Sequence, residues 1–193
     1  MNEVIKTRIS EISIALERVL ADCADSIEKS ALLISQCFAQ GGKILICGNG
    51  GSAADSQHFA GEFVSSFAKD LDRKALPAIA LTVDTSIITA ISNDKSFEMV
   101  FSRQVEAIGR TGDVLIVLTT SGSSRNCLEA VSKAKELGLK TIAFTKLGGD
   151  IAKIVDSAIE IPSENTQHIQ ECHMVSYHIL TELVENTLFR GDM

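Results

Sequence analysis

The sequence predicts a doubly wound, three-layer α/β domain with a parallel five-stranded sheet at its centre. Three observations carry that expectation. Five short, near-continuous apolar runs alternate with segments of helical period, the pattern of a parallel sheet covered on both faces. The only two prolines, Pro77 and Pro162, stand at the start of one run and just after another, where they interrupt no strand. A chain of 193 residues, 45% hydrophobic and 22% charged, has the size and composition of one globular domain with a sizeable core.

The N-terminal segment, residues 2 to about 40, reads as a helical pair. Val4, Ile5, Ile9, Ile12, Leu16, Val19 and Leu20 recur at helical spacing, and Ile27, Ala31, Ile34, Cys37 and Phe38 continue on a second helix that Gly41-Gly42 ends. The strand runs are KILIC at 43–47, PAIAL at 77–81, DVLIVL at 113–118, TIAFT at 141–145 and SAIEI at 157–161. Helical patterns fill 53–68, 84–109, 124–137 and 149–155, and a long C-terminal helix follows from about 166 to 188.

Composition excludes several classes of function. A formal net charge of -7 argues against a nucleic-acid partner, which requires a basic face. No apolar run approaches the roughly 18 residues of a membrane span. Charges break the N-terminal MNEVIKTRISEISIALERVL throughout, so no signal peptide is expected and the cytoplasm is the default location. The five cysteines, Cys23, Cys37, Cys47, Cys127 and Cys172, form no C-x-x-C pair and read as free buried thiols.

In such sheets ligands bind in the strand-to-helix loops. Two loops stand out, GNGGS at 48–52 and TTSGSS at 119–124. Glycine allows close backbone approach, and hydroxyls beside a helix start suit an anion; Ser and Thr there also serve simply as helix caps. Gly48-x-Gly50-x-x-Ala53 fits a loose dinucleotide fingerprint, but the next strand ends near Asp84, 36 residues on, rather than about 20. The P-loop pattern is absent too, so a phosphate on a small metabolite fits better than a nucleotide.

The helix after the first loop carries His58 and Glu62, which lie about 40° apart on one face and about 6 Å apart along the axis. Such a pair can share a metal or divide acid and base duties, and it is equally a common surface pairing. On the C-terminal helix Ile169, Cys172, Ser176, Ile179, Leu180, Leu183 and Thr187 form the apolar stripe. Gln170, Met174, His178 and Glu185 fall opposite, with Gln170 and His178 about 80° apart. His178 therefore faces solvent, a partner subunit or a site, while His168 and His173 read as surface histidines.

GNGGSAAD together with TTSGSS resembles the sugar isomerase (SIS) domain family. CGNGGSAAD, QHFAGEF, SNDKSFEMVFSRQVEAIGRTGDVL, TSGSS and HIQECHMVSYHI together resemble its heptose isomerase branch over essentially the whole chain. The resemblance implies a single SIS domain over 1–193 that converts D-sedoheptulose 7-phosphate to D-glycero-D-manno-heptose 7-phosphate for ADP-heptose and lipopolysaccharide core synthesis. It implies one Zn2+ per subunit on His58, Glu62, Gln170 and His178, with Glu62 and His178 as the acid–base pair. It assigns substrate contacts to Asn49, Gly50, Gly51, Glu62, Asn93, Asp94, Thr119, Thr120, Ser121, Ser124 and Gln170. It also implies a homotetramer in which the N-terminal helices, residues 1–40, take part in packing.

Ser66 stands where many relatives carry Arg, and Gln167-His168 where the pattern is often Asp-Arg, which leaves room for a different phosphosugar. Thr119 replaces a common Ser and keeps its hydroxyl. SIS domains also include a non-enzymatic regulator that binds the bacterial replication initiator, and the ending ENTLF is similar to its tail. That regulator lacks the glutamate and the histidine that Glu62 and His178 supply here.

Overall fold

The computed structural model describes residues 2–191; Met1, Asp192 and Met193 of the expected 1–193 domain lie outside the described residues. The chain runs α1 (Asn2–Ala39), β1 (Ile44–Gly48), α2 (Gly51–Val64), β2 (Ala78–Ala80), α3 (Thr85–Asp94), α4 (Ser102–Ile108), β3 (Val114–Thr119), α5 (Arg125–Glu136), β4 (Lys140–Lys146), β5 (Ser157–Ile161) and α6 (Thr166–Glu185). Short 3-10 turns at Phe97–Met99 and Asp150–Lys153 and a π-turn at Asn186–Arg190 complete it.

The five strands form one parallel sheet in the order β2-β1-β3-β4-β5. Side-chain alternation sorts the strands onto two cores. Ile44, Ile46, Val114, Ile116, Leu118, Ile142 and Phe144 face α1, α2 and α6, while Leu45, Cys47, Leu115, Val117 and Ala143 face α4 and α5. Each fully buried aliphatic side chain contributes about 1.5–3 kcal/mol, and β1 and β3 are buried at every position. The three-layer, doubly wound expectation is met.

Four expectations are corrected. The N-terminal helical pair is one continuous helix of 38 residues, because no glycine or proline interrupts it and buried Ala15, Val19, Cys23, Ile27, Ala31 and Ile34 keep one stripe. The expected helix at 84–109 is broken into α3, a 3-10 turn and α4. The pattern at 149–155 yields only a 3-10 turn. On α6 Ile179 is exposed and His168 and His173 are buried. The buried face is centred on Ile169, His173, Tyr177 and Leu180, where His173 packs on Phe144, and His168 is covered by Glu11 of α1. On the opposite side Glu185 is buried against Arg73. All five cysteines are buried and free, as expected.

Candidate active site

The strand order reverses between β1 and β3, so the crevice at their carboxyl ends is the place for a ligand. The register pairs Gly48 with Leu118, which sets the loop after β1 beside the loop after β3. Gly48 tolerates no side chain, since a Cβ there would lie 2.8 Å from the Leu118 carbonyl oxygen and from Ser52. Gly50 starts α2 at φ 58°, a left-handed value that favours glycine, and no side chain caps the helix.

The second loop gathers three hydroxyls into a triangle. Thr119 Oγ1 lies 3.3 Å from Ser121 Oγ and 3.2 Å from Ser124 Oγ, and the two serines are 3.4 Å apart. Ser124 is the N-cap of α5, yet its hydroxyl makes no capping bond. Simple capping therefore does not account for it, whereas hydroxyls converging at a helix start suit an anion. Thr120 is half-buried beside them.

Asn49 bridges the two loops. Its amide exchanges hydrogen bonds of 2.9 and 2.8 Å with that of Asn126, a buried residue in the first turn of α5. Asn126 was not among the residues expected from the sequence, although its place two residues after Ser124 puts it at the mouth of the same loop.

Helices α2 and α6 meet beside these loops. His58 Nε2 lies 2.8 Å from Glu62 Oε1, and the His58 and His178 rings stand 5.0 Å apart at 71°. One ligand atom each from His58, Glu62 and His178 lie within 4.8 Å of one another. His178 Nε2 is buried and has no hydrogen-bond partner, an orphan that a cation would satisfy. Two imidazoles and a carboxylate form a donor set suited to zinc. Burial first, then His58, holds the His178 imidazole below its ordinary value, and Glu62 pulls it the other way. The structure places His178 beside His58 and Glu62.

Gln170 lies against Gly51, and its Nε2 donates to Asp55 Oδ2 at 3.0 Å. Burial pushes the Asp55 carboxyl above its usual range, opposed by the Gln170 hydrogen bond and by His58. Tyr177, the chain's one tyrosine, places its hydroxyl 3.0 Å from His58 Nδ1. Burial, then Asp55 and Glu62, push the phenol up, so it stays protonated. Neither residue was anticipated. Asp55, His58 and Glu62 share one helical face at i, i+3 and i+7, a signal that would have found the first.

Asn93 and Asp94 end α3 on the exposed surface, the Asn93 amide donating to the Asp94 carboxylate at 2.8 Å. Asp94 lines a cavity with Ile87, Lys95 and Arg103, apart from the one of about 120 Å3 formed by Gly48–Gly50, Ala53, Phe97 and Phe101. Ser66 is exposed, and its hydroxyl donates to the Ala68 and Leu71 carbonyls, closing a loop. His168 is held from both sides, by Glu171 at 2.8 Å and by Glu11 of α1 at 3.0 Å.

A doubly wound sheet with a hydroxyl triangle at its switch point, and a His–Glu–His group where α2 and α6 pack together, defines an α/β domain with the groups to hold a small anionic ligand. The chain belongs to the SIS domain family, whose sequence profile matches residues 9–146. It is 48% identical to the phosphoheptose isomerase of Clostridium acetobutylicum over 98% of this chain and 97% of that one. It is 50% identical to that of Burkholderia pseudomallei, over 94% and 90% of the two chains. The structure superposes on phosphoheptose isomerase GmhA from Neisseria gonorrhoeae with a TM-score of 0.90 and 40% identity, covering 96% and 98% of the two chains. For a phosphoheptose isomerase from Francisella tularensis the TM-score is 0.91 at 36% identity, over 95% and 97%.

Proposed function

We propose that this chain is an aldose–ketose isomerase that interconverts D-sedoheptulose 7-phosphate and D-glycero-D-manno-heptose 7-phosphate. The convergence of Glu62 and His178 with His58 carries this reading, in a chain 48% identical to a phosphoheptose isomerase along nearly its whole length. A protein that only binds has no need for both a carboxylate and an imidazole at that place.

Isomerisation moves one proton between adjacent carbons and one between their oxygens. Glu62 removes the proton from C1 of the ketose; the electrons form a C1–C2 double bond and O2 takes up a proton. The O1 proton then leaves as the C1 carbonyl forms, and Glu62 returns its proton at C2. His178, whose imidazole burial and His58 hold below its ordinary value, carries the oxygen proton or assists ring opening. Each such group typically contributes about 10²–10⁴-fold.

Thr119, Thr120, Ser121 and Ser124 hold the phosphate, and that binding energy orients the reacting end. Asn49, Gly50, Gly51 and Gln170 line the sugar side; Asn93 and Asp94 are assigned to the substrate by family resemblance alone. His58, Glu62 and His178, completed by Gln170, would hold a zinc ion, which when bound would polarise and orient the sugar oxygens. A metal-bound carboxylate is a poorer base, so either Glu62 is released when substrate binds or the ion is structural. The chain works as one domain, in the cytoplasm, and as a homotetramer. In support of assembly, α1 leaves Val4, Ile5, Ile9, Ile14 and Leu20 exposed. No helix among the described residues is long and apolar enough to cross a membrane.

The test is turnover of sedoheptulose 7-phosphate with and without a chelator. Heptose 7-phosphate should form, and chelation should suppress it. Turnover of a different phosphosugar alone would move the substrate, and none with any phosphosugar would overturn the enzyme reading.

A further inference from the structure

Behind the acid–base residues lies a buried ion pair, Arg73 with Glu185. Arg73 and Glu185 have side chains 0% and 1% exposed, and Arg73 Nε donates to Glu185 Oε1 at 2.6 Å. Arg73 Nη2 donates to the backbone carbonyl of Glu62 at 2.9 Å, and Nη1 to those of Phe63 at 2.9 Å and Lys74 at 3.0 Å. Glu185 in turn accepts the backbone N–H groups of Phe67 and Ala68, both at 3.0 Å.

Two helix ends are joined here. The last carbonyls of α2 have no partner within their own helix, and the Arg73 fork supplies donors to two of them, one belonging to Glu62. Glu185 sits seven residues, two helical turns, beyond His178, on the same side of α6. Loop 65–72, which leaves α2, is pinned to Glu185 through Phe67 and Ala68, and Phe67 lies 5.6 Å from the His178 ring, centroid to centroid. The pair thus ties the helix that carries the base to the helix that carries the imidazole.

Stability is a poor explanation for this arrangement. Charges taken from water lose most of what they gain from each other, and apolar side chains of similar volume often serve a core as well. Directional hydrogen bonding is what an apolar pair would not supply, and here it ends on the backbone of Glu62.

We propose that Arg73 and Glu185 are positioning residues that set Glu62 against His178. Neither touches substrate. The inference rests on the assignment of Glu62 and His178 above.

The test compares Arg73→Lys, Glu185→Gln and the milder Glu185→Asp with the wild type, and with Ile34→Ala in the α1 core as a control for stability loss alone. Lysine keeps the charge but loses the fork. In Arg73→Lys and Glu185→Gln, kcat should fall at least ~10-fold with KM within about twofold, as expected when reacting groups are misplaced. Zinc retention against a competing chelator should weaken about 10-fold in the same variants. Glu185→Asp should fall between these and the wild type. Ile34→Ala should lower Tm while keeping kcat and zinc retention. Folded Arg73→Lys and Glu185→Gln with wild-type kcat and zinc retention would overturn the proposal. So would losses no larger than those of Ile34→Ala at an equal drop in Tm, or failure of every variant at both positions to fold. An inactive wild type would instead count against the assignment of the reaction, and zinc retention would then decide the role of the pair.

Discussion

The Tyr177 hydroxyl stands 3.0 Å from Nδ1 of His58, so the nitrogen that faces away from Glu62 is fixed by a group on another helix. The tyrosine is fully buried and stacks on Phe59 with ring centroids 4.8 Å apart, which holds the hydroxyl in place. It therefore sets the orientation of the imidazole whose other nitrogen points into the cluster.

Tyr177→Phe should keep the fold, losing one hydrogen bond worth about 0.5–1.5 kcal/mol. Removing the partner of a ligating histidine commonly costs 10–100-fold in metal affinity. Zinc competition and a thermal melt on the same variant read both quantities. Unchanged zinc retention would remove Tyr177 from the site.

Gly51→Ala should act through Gln170. The added methyl carbon would lie 2.4 Å from Nε2 and 2.5 Å from Oε1 of that side chain, so the flexible amide must leave Asp55. Because alanine suits a helix, Tm should change little, while kcat/KM should fall by roughly 10- to 100-fold. Steady-state kinetics with a thermal melt separate the two effects.

Ser121→Ala and Ser124→Ala should raise KM by about 10-fold, the loss of one hydrogen bond to a charged group. Ser124→Ala should cost less than the ~1 kcal/mol usual for a cap, because its hydroxyl makes no capping bond. Inorganic phosphate should inhibit the wild type and inhibit both variants more weakly.

His173 should govern part of the acid limb of stability. Burial pushes its imidazole down to about 4, opposed weakly by the nearby Thr145 backbone, and neither ring nitrogen makes a hydrogen bond of normal geometry. The unfolded chain takes up this proton near 6.5 and the folded chain only near 4. Stability is therefore unaffected above pH 6.5 and falls as pH drops towards 4, by a total of about 3 kcal/mol. Urea unfolding of the wild type and of His173→Leu across that range should show the slope flattened in the variant.

The strands were legible because burial on both faces writes them as apolar runs, and the two hydroxyl- and glycine-bearing loops followed from strand-to-helix topology. The polar side of α6 was not. A helical period separates two sides of a helix but cannot say that the second is also covered, as it is at Glu185. A polar residue type hides a core position, which is why His173, between Ile169 and Leu180 and against Phe144, reads as a surface histidine. The spacing of His58 and Glu62 set them on one face but fitted a surface pairing as well, so their place in a site came from resemblance. That His178 joins them was implied by resemblance, since no local pattern links residues 120 positions apart. Asp55, Asn126 and Tyr177 act through partners on other elements, and a linear reading does not bring those together.

Turnover of sedoheptulose 7-phosphate by Glu62→Gln in heavy water tests the central claim most directly. The expected result is a folded protein whose kcat is lower by about 10²–10⁴-fold, with the solvent deuterium that reaches C2 through exchange on Glu62 in the wild type lost alongside turnover. A folded Glu62→Gln with wild-type kcat would contradict it.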